Sequence, residues 1–166
     1  MAAREAPLAA PEPLSAEDLA ILRLESDTVA GHTLKVAILD PPPNERRPDV
    51  GALRARIAAR IESAPRLRRR LQMRSRRRAA WVDDPTFDVR DHVRVVLVSG
   101  TVSDDDLRRV CARMMAERLD RSRPLWTIDL LDPLEKGGIA LVWRLHHSMA
   151  DGAIAMRLAG GALGRG

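Results

Sequence analysis

The chain has 166 residues, enough for one domain with a core, since a domain near this size buries roughly two-thirds of the surface its unfolded chain exposes. Apolar residues make up 45% and charged ones 31%, with no tyrosine, one phenylalanine and three tryptophans, so the core must be aliphatic and a row of aromatic stacking platforms is excluded. The single cysteine excludes an internal disulfide, and a formal charge of +5 favours anionic company without choosing among phosphate groups, lipid headgroups and nucleic acid.

Residues 1–13 hold three prolines, Arg4 and Glu5 and no continuous apolar run, so they are expected to form a flexible leader and a cytoplasmic location is the expectation. One domain over 14–163 and a tail over 164–166 complete the expected organisation. Ser15 and Asp18 stand as N-cap and N3 of a capping box that opens a helix through Leu24. Thr33 to Leu39 predicts a strand, stopped by Pro41-Pro42-Pro43, which cannot continue a ladder. Asp49 caps a helix whose apolar face is Val50, Leu53, Ile57 and Ile61, ended by Pro65.

From Arg66 to Met73 the apolar Leu67, Leu71 and Met73 alternate with arginines, which predicts a strand with one wet face; Trp81-Val82 resumes extended structure. His92 to Val98 is β-branched and strand-like. Ser103 and Asp106 form a second capping box for a helix through Arg118, and Asp104, Asp105 and Asp106 in its first turn oppose the helix dipole, a stabilising rather than a metal-binding role. Cys111 shares a helical face with Leu107, Val110 and Met114 and is expected to pack there. Trp126, Ile128 and Leu130, a turn at 135–138 and the apolar run Ile139 to Leu145 predict a hairpin. Ala153 to Leu163 has helical spacing at Ile154 and Leu158.

The second hairpin strand runs straight into His146-His147-Ser148-Met149-Ala150-Asp151-Gly152. An imidazole can take a proton at neutral pH without carrying a permanent charge, which suits a general base. Side chains alternate along a strand, so His146 and His147 point to opposite faces and only one can address a given cavity. Adjacency therefore makes no metal site, and His32 and His92 lie in other segments without ligand spacing. An isolated histidine is ordinarily a hydrogen-bonded core residue; here Asp151 and Gly152 follow at a defined offset, where a carboxylate can bond loop backbone or an arginine and glycine permits close approach.

The pattern HHxxxDG resembles the signature of acyltransferases built like chloramphenicol acetyltransferase, a superfamily that includes peptide-synthetase condensation domains and the bacterial wax ester synthase/diacylglycerol acyltransferases. Leu119-Asp120-Arg121-Ser122-Arg123-Pro124-Leu125-Trp126 resembles the latter family's PLW motif with its lead-in, which condensation domains lack. Leu14 to Asp18, Pro65 to Arg68, Trp81 to Asp84 and Phe87 to Val93 resemble other family segments, so the likeness runs over about 14–163.

The resemblance implies a mixed α/β half-domain of the chloramphenicol acetyltransferase-like kind, a mixed or antiparallel sheet packed with helices that start near Ser15, Asp49 and Ser103, with the histidine loop at a strand end. It implies transfer of a fatty acyl group from acyl-CoA to the hydroxyl of a diacylglycerol or a long-chain alcohol. His147 would be the general base, His146, Asp151 and Gly152 its support, and Pro124, Leu125 and Trp126 a structural motif. Acyl-CoA would be a co-substrate, with no further cofactor and no metal, and no serine or cysteine nucleophile is required. Family members resemble a pair of similar halves with the reaction channel between them, and this chain supplies the first, so a complementary C-terminal half is the expected partner. An inactive or structural fragment, a condensation-domain-like acyltransferase, and a basic lipid- or nucleic-acid-binding protein are the alternatives.

Arg66 to Arg78 packs eight arginines into thirteen residues, which suits a solvated face, an anionic-lipid contact or a nucleic-acid patch. No nucleic-acid module or stacking aromatic accompanies them, and peripheral contact with a membrane or lipid droplet suits the implied greasy substrates better.

Overall fold

The computed structural model of the chain describes residues 10–40, 49–61, 63–75, 77–98 and 100–149. Asp151, Gly152, the proline run 41–43 and the helix expected over 153–163 lie outside them. A four-stranded sheet runs in the order β2 (His32–Leu39), β7 (Ile139–His146), β6 (Trp126–Leu131), β5 (Val93–Val95), and a three-stranded one in the order β1 (Glu12–Pro13), β4 (Arg78–Asp83), β3 (Arg69–Ser75). Among the described strands only β5 and β6 pair in parallel, so the larger sheet is mixed, within the expected class.

Every residue of β7 is buried, as an inner strand covered on both faces requires. One face carries Ile139, Leu141, Trp143 and Leu145, which join Leu19 and Leu22 of α1 (Ala16–Leu24), Leu53, Ile57 and Ile61 of α2 (Val50–Ile61) and Leu71 and Trp81 of the small sheet in one core. The alternate residues Ala140 and Val142 pack on Val110 and Met114 of α4 (Asp104–Ala116). The expected caps hold these helices: Asp18 N–H donates to Ser15 Oγ, Gly51 N–H to the Asp49 carboxylate, and both bonds of the Ser103–Asp106 box are present.

Several boundaries differ from expectation, and α4 ends at Ala116, two residues before the expected Arg118. Glu12 and Pro13 pair with Trp81 and Ala80, so ordered structure begins inside the expected leader; the proline has no N–H to give and sits on an edge strand. Pro65–Arg68 forms a 3₁₀ turn that buries Leu67 before β3 begins, because Pro65 presets a helical φ at its start. His92 ends the single helical turn α3 (Val89–His92), which Asp88 caps by accepting the Arg90 N–H at 2.8 Å; only Val93–Val95 continue as strand.

Candidate active site

The β6–β7 hairpin delivers the paired histidines to one end of the larger sheet. Its turn needs Gly138, at φ +80°, where a Cβ would stand 2.7 Å from the Leu39 carbonyl. Beyond His146 the chain folds into a 3₁₀ turn, His147–Met149, tied to the strands on both sides. His146 N–H donates to Leu125 O at 3.0 Å, and His147 N–H to Gly31 O at 2.8 Å. Leu125 N–H points at Met149 Sδ, 3.1 Å away. The PLW motif thus acts through its backbone: Leu125 holds the turn by both its peptide groups.

The two imidazoles part company as the alternation requires. His146 is 1% exposed, whereas His147 is exposed. His146 Nδ1 accepts the Ser148 N–H at 3.1 Å and lies 2.7 Å from Ser148 Oγ. A neutral ring accepting at Nδ1 carries its hydrogen on Nε2, which lies 3.3 Å from Glu25 Oε1 without an aligned hydrogen bond. Glu25 accepts the Gly31 N–H at 2.8 Å and the Arg121 guanidinium at 2.6 and 3.1 Å. Sequence reasoning misses Glu25 and Gly31, because Arg121, His146 and His147, which they hold, lie far along the chain, and Arg121 is legible only as part of the PLW lead-in.

Pairing of β2 with β7 also sets His32 opposite His146, although the sequence places them in unrelated segments. His32 is 3% exposed and neither ring nitrogen has a hydrogen-bond partner among the described residues. His92 stacks between Phe87 and Trp126, at centroid distances of 5.2 and 4.6 Å, and its Nδ1 donates to Trp126 O at 2.8 Å. Trp126, fully buried, donates its indole N–H to Leu67 O at 2.8 Å.

Burial pushes the pKa of His32, His92 and His146 down; charge from Arg144 adds to this at His32, while the Trp126 carbonyl opposes it at His92 and Glu25 opposes it at His146. Burial pushes Glu25 up, but the Arg121 and Gly31 hydrogen bonds and the neighbouring charges outweigh it and hold the carboxyl below its usual range. Below about pH 6.5 the unfolded chain binds protons that the three folded histidines refuse, so stability falls with pH. Each contributes a slope of at most about 1.4 kcal/mol per pH unit. Glu25 adds a second loss, confined to pH below the ordinary carboxylate value near 4.3, as pH drops towards its folded pKa. Urea midpoints should therefore decline between pH 7.5 and 5.5 and decline less in His92→Gln; a flat midpoint across that range contradicts the neutral assignment.

On the α4 face a polar row crosses the sheet: Arg94 pairs with buried Asp129 at 2.6 Å, Thr127 Oγ1 lies 3.1 Å from Asp129 Oδ2, and Arg144 donates to Thr127 Oγ1 and to Met114 O at the end of α4. A depression of about 430 Å³ opens here, lined by His92, Arg94, Pro124, Trp126, Thr127 and Arg144 among others; His147 does not line it. The acidic trio is committed elsewhere: Asp104 to Lys136, Asp105 to Arg108, and Asp106 to Ser103 and Arg109. No group of three potential metal ligands occurs among the described residues. Burial pushes the Cys111 thiol up, which suits a packed side chain rather than a thiolate nucleophile.

The mixed sheet, its two helical layers and a paired-histidine turn at a central strand end define the fold shared by the HHxxxDG acyltransferases. Within that class the chain belongs to the wax ester synthase/diacylglycerol acyltransferase family, matching its catalytic domain over residues 14–165. It is 34% identical over 151 residues to a probable diacylglycerol O-acyltransferase, tgs3, of Mycobacterium tuberculosis, covering 87% of this chain and 54% of that protein. The wax ester synthase/diacylglycerol acyltransferase of Marinobacter aquaeolei superposes with a TM-score of 0.72 at 28% identity, over 89% of this chain and 36% of that one. The starter condensation domain of rhizomide synthetase has a TM-score of 0.69 at 17% identity, over 92% of this chain and 39% of that one, a likeness of fold. The chain thus spans about half the length of the first relative and about a third of the two solved structures.

Proposed function

We propose that the chain supplies the histidine-bearing part of an acyl-CoA-dependent O-acyltransferase that esterifies a diacylglycerol or a long-chain alcohol. The exposure of His147 on a turn whose every other described residue is buried carries this reading. His147 takes the hydroxyl proton of the acceptor as its oxygen attacks the thioester carbonyl. The intermediate then expels the CoA sulfur, which receives that proton. No covalent enzyme intermediate and no cofactor are needed, acyl-CoA being a co-substrate. His146 supports the base from behind, and Asp151 and Gly152, which lie outside the described residues, are assigned the supporting role that the motif gives them.

Neither described depression is lined by His147, and a base needs an opposing wall to orient two substrates, an effect that accounts for several kcal/mol of a barrier. We assign the wall to a complementary C-terminal half, as the family resemblance implies. Coexpression with that half, followed by acceptor-dependent release of free CoA, tests the reading. Release above the level of either part alone is expected; a stable assembly that releases none with either acceptor class would overturn it.

The arginine cluster divides in two. Arg66 pairs with Glu12 and lies over Trp81, Arg68 lies over Phe87, and Arg69 pairs with Glu12 and Asp83, so these belong to the fold. Arg74, Arg77 and Arg78 at the β3–β4 tip are exposed and have no acidic partner among the described residues, and Met73 beside them is 47% exposed. This tip is assigned to the anionic surface of a membrane or lipid inclusion on the cytoplasmic side. No described helix is long and apolar enough to cross a membrane. At about 1 kcal/mol per basic residue, changing all three arginines to serine should weaken partition onto phosphatidylglycerol vesicles by roughly 100-fold. Unchanged partition, or equal affinity of the unaltered chain for duplex DNA at the same salt, would overturn the assignment.

A further inference from the structure

We infer that Glu25, held by Arg121, is a positioning residue for the histidine turn, fixing the Gly31 peptide to which His147 is tied and the imidazole of His146 behind it. The inference rests on the reading of His147 as the base. Glu25 is the first residue beyond α1, and its side chain is only 1% exposed. Every contact of its carboxylate leads towards the turn or braces it against movement. Oε1 accepts the Gly31 N–H, and the carbonyl of that same residue accepts the His147 N–H. A single residue thus transmits the position of the carboxylate to the backbone of the base.

Oε2 accepts the Arg121 fork, and Arg121 also donates to Leu22 O at 2.7 Å, which locks the end of α1 to the loop before Pro124. Oε1 lies 3.3 Å from His146 Nε2. Residue 31 must be glycine for this to close, because a Cβ there would lie 2.6 Å from His146 Nε2 and 3.0 Å from Glu25 Cγ. The pair is half-buried, with Arg121 38% exposed and Glu25 1%, so solvent screens much of its attraction, and its convergence on this one turn points to geometry. Glu25 touches neither reacting group; it acts through residues 31 and 146.

The test reads the turn directly, by hydrogen exchange of the His147 amide and by imidazole ¹⁵N shifts of His146. In the unaltered chain His146 should be the neutral Nε2–H tautomer and the His147 amide should be protected. Glu25→Gln should speed that exchange about tenfold, the scale of one hydrogen bond, while amides in the middle of β7 keep their rates. In the assembled enzyme it should lower kcat about tenfold with KM for acyl-CoA unchanged, and Glu25→Asp should recover part of the loss. Wild-type exchange and tautomer in folded Glu25→Gln would overturn the inference. Should that variant fail to unfold cooperatively, Arg121→Lys, which keeps the charge and loses the fork, must shift both signals in the same direction or the inference falls. These signals do not depend on acyl transfer, so the clamp can hold even if His147→Ala shows that His147 is not the base.

Discussion

Replacing His147 by alanine should lower acyl transfer by the assembled enzyme by about 10²- to 10⁴-fold, the range a positioned general base supplies. The stability of the domain should move by no more than about 0.5 kcal/mol, because the side chain is exposed and, among the described residues, only its backbone N–H, which alanine keeps, is hydrogen-bonded. That combination separates chemistry from packing: a large loss of kcat at an unchanged urea midpoint. A comparable loss of stability would mean that the imidazole is structural. An unchanged rate would remove it from the reaction.

Trp126→Ala should have the opposite profile, destabilising the chain by roughly 3–5 kcal/mol. Its ring is wholly buried, stacks on His92 at 4.6 Å, and donates to Leu67 O at the end of the 3₁₀ turn. Truncation opens a cavity where β6, α3 and that turn meet and strands a buried carbonyl. Domains are typically stable by only about 5–15 kcal/mol, so the loss is a large share of the total. Trp126→Phe keeps most of the apolar contact and gives up the indole N–H, so it should cost about 1–3 kcal/mol. Equilibrium urea unfolding of the two variants checks the order; equal and small losses would show that the site relaxes around the missing ring.

What the sequence makes legible is what local chemistry specifies. The Ser103–Asp106 box and the Leu53, Ile57, Ile61 face are each written within a few residues, and both stand as expected. The hairpin into His146 is legible because its turn and its apolar run are contiguous. Leu67 misleads: its spacing from Leu71 and Met73 is that of a strand, but Pro65 turns the chain helically first. The β-branched run after His92 likewise hides the one-turn helix that Asp88 caps.

Long-range pairing is beyond such signals. Nothing near His32 announces a partner more than a hundred residues later, and Glu25 looks like the polar end of an ordinary helix. The site is therefore half legible. Its histidines and its PLW segment can be read locally, but the carboxylate and glycine that brace them come together only in the folded chain.

His147 must be the imidazole that solvent and substrate can reach. His32, His92 and His146 are 3% exposed or less, whereas His147 is exposed, so a histidine acylating reagent such as diethyl pyrocarbonate can distinguish it from the others. Peptide mass spectrometry should find modification at His147 first, and loss of acyl transfer in the assembled enzyme should follow that modification one for one and be slowed by acyl-CoA. Full modification of His147 with acyl transfer intact, or loss of transfer while His147 remains unmodified, would contradict it.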